Sequence, residues 1–321
     1  MTSFMTTIEN GWGLQVILWF QSWRTDLVTN LFQPLNWAGG ETFFLILMTI
    51  IYWTISKSTG RRLTVIFLFS TWVNGFCKSW WKRPRPFQVS DKVVAPYSVG
   101  GYGLPSGHTQ TATTVASTLV AETRKRWAII LLVLYMFLTG ISRMVHGVHF
   151  PQDVLMGWFL GIAIVVILLK LEAVFGQFLS DITFGQTILI TVIVAGVLLG
   201  LSFWSASDLH GIAYMVTPVG VLTGAIPGFY IEQKFVRFSI DGSVEKRCLR
   251  YLVGIITALL IKEGLKPVLG IINDHSLYME VFVRFVRYFL LGLWISVGAP
   301  WLFTKVRLSD SQMLAERPIY E

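Results

Sequence analysis

Three short stretches bring together residue types that can grip an anion and attack it. The first, KSWWKRPRPF, sets Lys78 seven residues before Arg85, with Pro84 and Pro86 flanking that arginine. The second, GGYGLPSGHTQ, places Pro105, Ser106, Gly107 and His108 where a helix is expected to begin. Free backbone amides and the helix dipole favour an anion there, and Gly107 lets the backbone approach it closely. The third, SRMVHGVHFPQD, supplies Ser142, Arg143, His146, His149 and Asp153. A carboxylate four residues beyond an imidazole can hold one ring nitrogen while the other attacks.

Each stretch alone has a plain structural account. Lys78 and Arg85 at a helix end suit lipid headgroups, Ser106 suits an ordinary helix cap, and Asp153 suits the dipole of a helix start. Together they offer three cations, two imidazoles, a carboxylate and a helix N-terminus on one predicted face. Charges near a bilayer are expensive without a function. Phosphoryl transfer needs this inventory: cations and amides for the equatorial oxygens, an in-line nucleophile, and an acid for the leaving oxygen.

The elements that must carry these residues are membrane helices. Of 321 residues, 54% are hydrophobic and only 14% charged, with 13 Trp and 23 Phe, too apolar for a soluble domain of this length. About nine stretches approach the length that spans a hydrocarbon core. They fall near 40–56, 62–78, 107–122, 127–145, 152–170, 185–203, 210–228, 249–270 and 282–302. Trp12 to Phe32 mixes apolar residues with Gln21, Arg24 and Asp26, which reads as an interfacial helix. No removable signal peptide is evident.

Lys57, Arg61, Arg62, Arg124 to Arg126, Lys170, Lys234, Arg237, Lys246, Arg247, Arg250, Lys305, Arg307 and Arg317 fall on one side of such a bundle, which the positive-inside rule makes cytoplasmic. Segments 79–106, 146–151, 204–209 and 271–281 then lie on the other side, so the chemistry faces out of the cytoplasm. Residues 229–248 read as the longest cytoplasmic loop, able to fold as a short hairpin or helix. The net charge of +8 is spread over such clusters, so a nucleic acid partner is not expected. Cys77 and Cys248 read as packing residues. Lys262, Glu263, Lys266, Arg284 and Arg287 lie in or near the last two spans, where they pair with one another or line a headgroup pocket.

The three stretches resemble the signature of the type 2 phosphatidic acid phosphatase superfamily, the lipid phosphate phosphatases: Lys, six residues, Arg-Pro; Pro-Ser-Gly-His; Ser-Arg, five residues, His, three residues, Asp. Lys78, Arg85 and Pro86, then Pro105 to His108, then Ser142, Arg143, His149 and Asp153 meet every spacing. The resemblance covers about residues 35–170. It implies an all-α polytopic bundle whose six-helix phosphatase-like core occupies 37–180, with 1–36 as the interfacial helix and 181–321 as an additional carboxy-terminal bundle. It implies that His149 attacks phosphorus to form a phosphohistidine, that Asp153 orients His149, and that His108 protonates the leaving oxygen. Lys78, Arg85, Arg143, Ser106 and Gly107 would hold the phosphate, with no metal or other cofactor. His146 could replace His149 in a looser reading, but only His149 has both the Ser-Arg spacing and Asp153 at four. His146 and Ser142 remain supporting residues.

The expected partners are the bilayer and a lipid phosphate: phosphatidic acid, a sphingoid phosphate, phosphatidylglycerol phosphate or a polyprenyl diphosphate. The GGETFF stretch at 39–44 and the extra carboxy-terminal spans resemble the sphingosine-1-phosphate phosphatase branch. Phosphotransfer to another lipid and non-hydrolytic lipid transport are the alternatives; the vanadium haloperoxidases, similar in this pocket, are soluble. A bacterial inner membrane with an external site is expected, or an endoplasmic reticulum membrane with a lumenal one.

Overall fold

The structure, a computed structural model, describes residues 9–97, 99–206, 208–270 and 276–310. Arg317 and residues 271–275 of the expected outer segment lie outside the described residues. Among those described the fold is all-α, without a β-strand. The helices are α1 (Leu14–Ser22), α2 (Asp26–Ala38), α3 (Glu41–Ile50), α4 (Lys57–Trp81), α5 (Gly107–Glu122), α6 (Arg126–Val145), α7 (Pro151–Asp181), α8 (Phe184–Ser205), α9 (Leu209–Ile231), α10 (Val244–Gly270), α11 (Leu277–Leu293) and α12 (Ala299–Lys305). They divide into two compact units, Met1–Phe44 with Val73–Ala173 and Leu45–Trp72 with Val174–Glu321.

Five segments are long and apolar enough to cross a membrane: Arg126–Val145, Pro151–Phe178, Phe184–Ser205, Leu209–Val236 and Leu277–Lys305. A sixth arises if Asp26–Ala38 and Glu41–Ile55, bent by 55°, form one broken span. The three remaining stretches of the expected nine are helices of a different kind. The α5 helix has 16 residues, about 24 Å at 1.5 Å per residue, and it is rich in threonine. Lys57, Arg61, Arg62 and Lys78 lie on α4, and seven charged residues on α10. The Trp12 to Phe32 stretch is two helices, because Thr25 leaves the helical conformation and its hydroxyl caps α2 by accepting from the Val28 amide at 3.3 Å.

In the first unit, α5 is buried despite its polarity. Thr113, Thr114 and Thr118 turn their hydroxyls back onto the carbonyls of Thr109, Gln110 and Thr114 at 2.7–2.9 Å, so no donor is stranded. Gly157 and Gly161 of α7 let that helix approach α5 closely: a Cβ on Gly157 would sit 3.0 Å from the Ser106 carbonyl, and one on Gly161 2.7 Å from Thr113 Cβ. Ile17, Val93, Met144, Phe150 and Val154 form a buried apolar cluster that ties α1 to the ends of α6 and α7. The other face of α6 exposes Trp127, Ile130, Leu131 and Leu134, as a helix facing lipid does.

In the second unit, Gly220, Gly224 and Gly228 lie one helical turn apart on α9 and take the backbone of α11 and the Ser296 side chain against them. Spacing of this kind lets two membrane helices pack backbone to backbone. Glu232 is fully buried and meets Lys57 at 2.5 Å, Arg61 at 3.8 Å and the Tyr52 hydroxyl at 3.4 Å. Arg250, also buried, donates to the carbonyls of Trp53, Asp241 and Leu308 at 2.8–3.0 Å. The expected 229–248 loop is therefore mostly helical: a wide turn, Glu232–Val236, extends α9, and α10 begins at Val244. Of the ionisable residues near the last spans, Lys262 lies 3.5 Å from Glu263, and Arg284 donates to the Thr217 hydroxyl at 3.4 Å.

Candidate active site

All of the site residues expected from the sequence belong to the first unit. Lys78 ends α4 and donates from Nζ to the carbonyls of Tyr102 at 2.6 Å and Gly103 at 3.4 Å. Pro86, at the first position of the helical turn Pro86–Val89, forces Arg85 into an extended conformation. That turns the 4% exposed guanidinium inward. Its Nε donates to the Gly101 carbonyl at 3.1 Å, Nη2 to Gly100 at 2.9 Å, and Nη1 to Val148 at 3.0 Å. The run Gly100 to Gly103 thus supplies acceptors to both cations, and Gly101 adopts φ +68°, open to glycine at little strain.

Ser106 is wholly buried at the start of α5, but its hydroxyl does not cap the helix. It accepts from the Thr109 hydroxyl at 2.9 Å, while its amide donates to the Asp153 carbonyl at 2.9 Å. Asn74 of α4 pins the same region by donating to Gln110 Oε1 at 2.8 Å. His108, the second residue of α5, faces the Asn36 backbone carbonyl. Its ring packs on Gly39, where a Cβ would fall 2.5 Å from His108 Cδ2.

Arg143, 1% exposed near the end of α6, donates from Nη1 to Asn36 Oδ1 at 2.5 Å and stands 5.9 Å above the Tyr97 ring. His149 and Asp153 occupy the loop and first turn that follow. Asp153 Oδ2 accepts the Phe150 amide at 2.9 Å and lies 3.4 Å from His149 Nδ1. His149 Nε2 lies 3.1 Å from Arg85 Nη1. A guanidinium only donates, so Nε2 must be the accepting nitrogen and the ring proton sits on Nδ1, toward the carboxylate. Burial, then the charges of Arg85, Lys78 and Arg143, hold the pKa of His149 well below the usual histidine range. The ring is neutral at neutral pH, with its lone pair on the nitrogen turned toward the cations.

Lys78, Arg85, Ser106, His108, Arg143, His149 and Asp153 are thus linked, directly or through shared partners, into one cluster, with Gly107 between Ser106 and His108 in the chain. Ser142 is not drawn in, since its hydroxyl donates back to the Thr139 carbonyl at 2.7 Å. His146 turns its Nδ1 to the Tyr97 hydroxyl at 3.4 Å rather than to the cations. Three contributors lie outside the motif: Asn36, Gly39 and Tyr97. The glycine run beside Pro105 was a visible signal for the carbonyl loop; Asn36 and Tyr97 had none. Among the described residues no three His, Cys, Asp or Glu side chains gather as metal ligands.

An arrangement of three cations around a neutral, carboxylate-oriented imidazole, with a second imidazole nearby, suits handling of a phosphate ester. The chain belongs to the PAP2 superfamily of phosphatases. The superfamily profile matches residues 59–176, and the profile of its transmembrane extension matches residues 216–311. The protein is an integral membrane protein. Rat sphingosine-1-phosphate phosphatase 1 is 23% identical over 84% of this chain and 70% of its own length. Undecaprenyl-diphosphatase of Sulfolobus acidocaldarius is 30% identical over 37% of this chain and 57% of its own. Among solved structures, Aquifex aeolicus LpxE aligns at 27% identity over 50% of this chain and 96% of that one, with a TM-score of 0.47.

Proposed function

We propose that this chain hydrolyses a lipid phosphate monoester through a phosphohistidine, with a sphingoid base phosphate as the first candidate substrate. The observation that carries this reading is the state of His149: its proton is fixed on the Asp153 side, and its Nε2 lone pair faces the Arg85 guanidinium, with the charges of Lys78 and Arg143 also felt at the ring. In the first step Nε2 attacks phosphorus, the bond to the lipid oxygen breaks, and His108, which takes up a proton when the phosphate dianion enters beside it, gives that proton to the leaving oxygen. In the second, His108 takes a proton from water, the hydroxide attacks the phosphohistidine, and inorganic phosphate leaves as Nε2 regains its lone pair. Lys78, Arg85 and Arg143, with the Ser106 hydroxyl and the Gly107 amide, hold the phosphate oxygens in place of the carbonyls that now take the cation donors. No step requires a metal.

The choice of substrate is supported by alignment length. The two relatives named sphingosine-1-phosphate phosphatase 1 match 84% of this chain, whereas the two named phosphatase 2 match 40% and 37% and the diphosphatase relative 37%. We place the catalytic core at 37–180, the interfacial element at 1–36 and the additional bundle at 181–321. Counting α4, α5 and α10 as spans sheltered by their neighbours gives nine. The basic loops support an active face outside the cytoplasm, and exposed Trp80 beside Lys78 suits the headgroup level.

The test is phosphate release by purified wild-type, His149→Ala and His108→Ala protein, in EDTA, from sphingosine 1-phosphate, phosphatidic acid, phosphatidylglycerol phosphate and undecaprenyl diphosphate. Wild-type release that survives the chelator and disappears in both folded variants is expected, fastest on the sphingoid phosphate. Normal turnover by His149→Ala would sink the assignment. Transfer of labelled phosphate to an acceptor lipid without release would turn it into a phosphotransferase.

A further inference from the structure

The sequence motif leaves unexplained how Arg143 is held. Its Nη1 is bound by an uncharged amide oxygen, Asn36 Oδ1, at 2.5 Å. The same oxygen accepts from the Tyr97 hydroxyl at 3.1 Å, and Tyr97 meets His146 Nδ1 at 3.4 Å. One helix end reaches the cluster in two further places: the Tyr135 hydroxyl donates to the Ala38 carbonyl at 2.6 Å, and Gly39 packs on the His108 ring. The turn Asn36 to Gly39 therefore touches Arg143, the helix that carries it, and His108. The opposite face of α2 exposes Leu27 and Leu31, so Asn36 is a polar side chain turned inward from an otherwise apolar, lipid-suited helix.

The chemistry of the acceptor matters. An arginine this deeply buried needs a hydrogen-bond partner, and a carboxylate would be the stronger one. A carboxylate here would also cancel one of three cations and repel an incoming phosphate dianion. An amide fixes the direction of the guanidinium and leaves its charge unspent. Among the described residues the Nε of Arg143 has no hydrogen-bond partner, so an oriented donor remains for a ligand.

We propose that Asn36 is a positioning residue for phosphate binding, one that aims the Arg143 guanidinium without neutralising it. The proposal rests on the phosphatase reading. Asn36→Asp keeps the acceptor and adds charge; Asn36→Ala removes the acceptor and adds none. The experiment measures KM, kcat, inhibition by orthovanadate and melting temperature for wild-type, Asn36→Asp, Asn36→Ala and His149→Ala protein.

Asn36→Asp is expected to melt no lower than wild-type, keep kcat within about threefold, and raise KM and the vanadate concentration for half inhibition about tenfold, the scale of one charge-assisted hydrogen bond. Asn36→Ala is expected to raise both severalfold. A purely structural role would leave Asn36→Asp at wild-type KM and vanadate sensitivity, and that result overturns the proposal. If Asn36→Asp does not fold, Asn36→Ala decides, and unchanged KM and vanadate sensitivity there overturn it as well. An inactive wild-type, or an active His149→Ala, would instead indict the phosphatase reading.

Discussion

Replacing Asp153 by asparagine separates the charge of the carboxylate from its geometry. The Phe150 amide donates to Oδ2 at 2.9 Å, and the same oxygen faces His149 Nδ1 at 3.4 Å. An introduced amide must put its oxygen there, since an NH2 group would meet the Phe150 N–H head on. The oxygen still accepts from Nδ1, the tautomer is kept, and only the negative charge is lost. At 3.4 Å and an effective dielectric of about 20, a full carboxylate–imidazolium attraction is about 5 kcal/mol. With roughly half of the ring charge developed at the transition state, about 2 to 3 kcal/mol disappears, a fall in kcat of about 50-fold. Asp153→Ala removes the acceptor too and frees the ring, for which a loss of about 10³-fold or more is expected by analogy with displaced triads. Phosphate release at pH 7 by folded wild-type, Asp153→Asn and Asp153→Ala protein measures both. Equal losses in the two variants would show that Phe150 does not dictate the amide's orientation. A loss under about threefold in Asp153→Asn would show that the charge is not used.

The remaining expectations concern neighbouring elements. Gly39→Ala is compatible with its backbone, φ −97°, but its Cβ would lie 2.5 Å from His108 Cδ2. The ring must swing, and kcat should drop about 10- to 100-fold with little change in KM; steady-state kinetics at full activity would contradict the packing argument. Burial, then Arg143, pushes His146 down to about 4, while Arg24 lowers it further and the Thr29 carbonyl opposes this. The unfolded chain binds that proton from about pH 6.5, so stability is present above pH 6.5 and declines as pH falls toward 4. His146→Asn should flatten the decline in melting temperature between pH 7 and 5. In the second unit, Lys57→Met leaves buried Glu232 with Arg61 and Tyr52 alone, a loss of about 3 kcal/mol. Adding Glu232→Gln should restore most of it in thermal melts, and a double variant no better than the single one would show that the carboxylate was not the burden.

The sequence alone determined the all-helical membrane character and made eight candidate site residues legible, because both signals are local. Apolar runs are contiguous, and Lys78 to Arg85, Pro105 to His108 and Ser142 to Asp153 each lie within about a dozen residues, so spacing is visible without a fold. Of the nine stretches, five among the described residues qualify as spans by themselves, or six with the bent pair; α5 does not, since it is short and threonine-rich and its polarity is satisfied by turning hydroxyls back onto its own carbonyls inside a packed unit. The sequence was silent on Asn36 and Tyr97, and it flagged Gly39 only as part of a family-like stretch without a site role, because their types are ordinary and their meaning depends on partners about 50 to 110 residues away. Folding also decided that Arg85, rather than a solvent or lipid contact, faces His149 Nε2. That contact assigns the ring proton, and no spacing in the sequence encodes it, because hydrogen-bond direction depends on where two side chains meet in three dimensions.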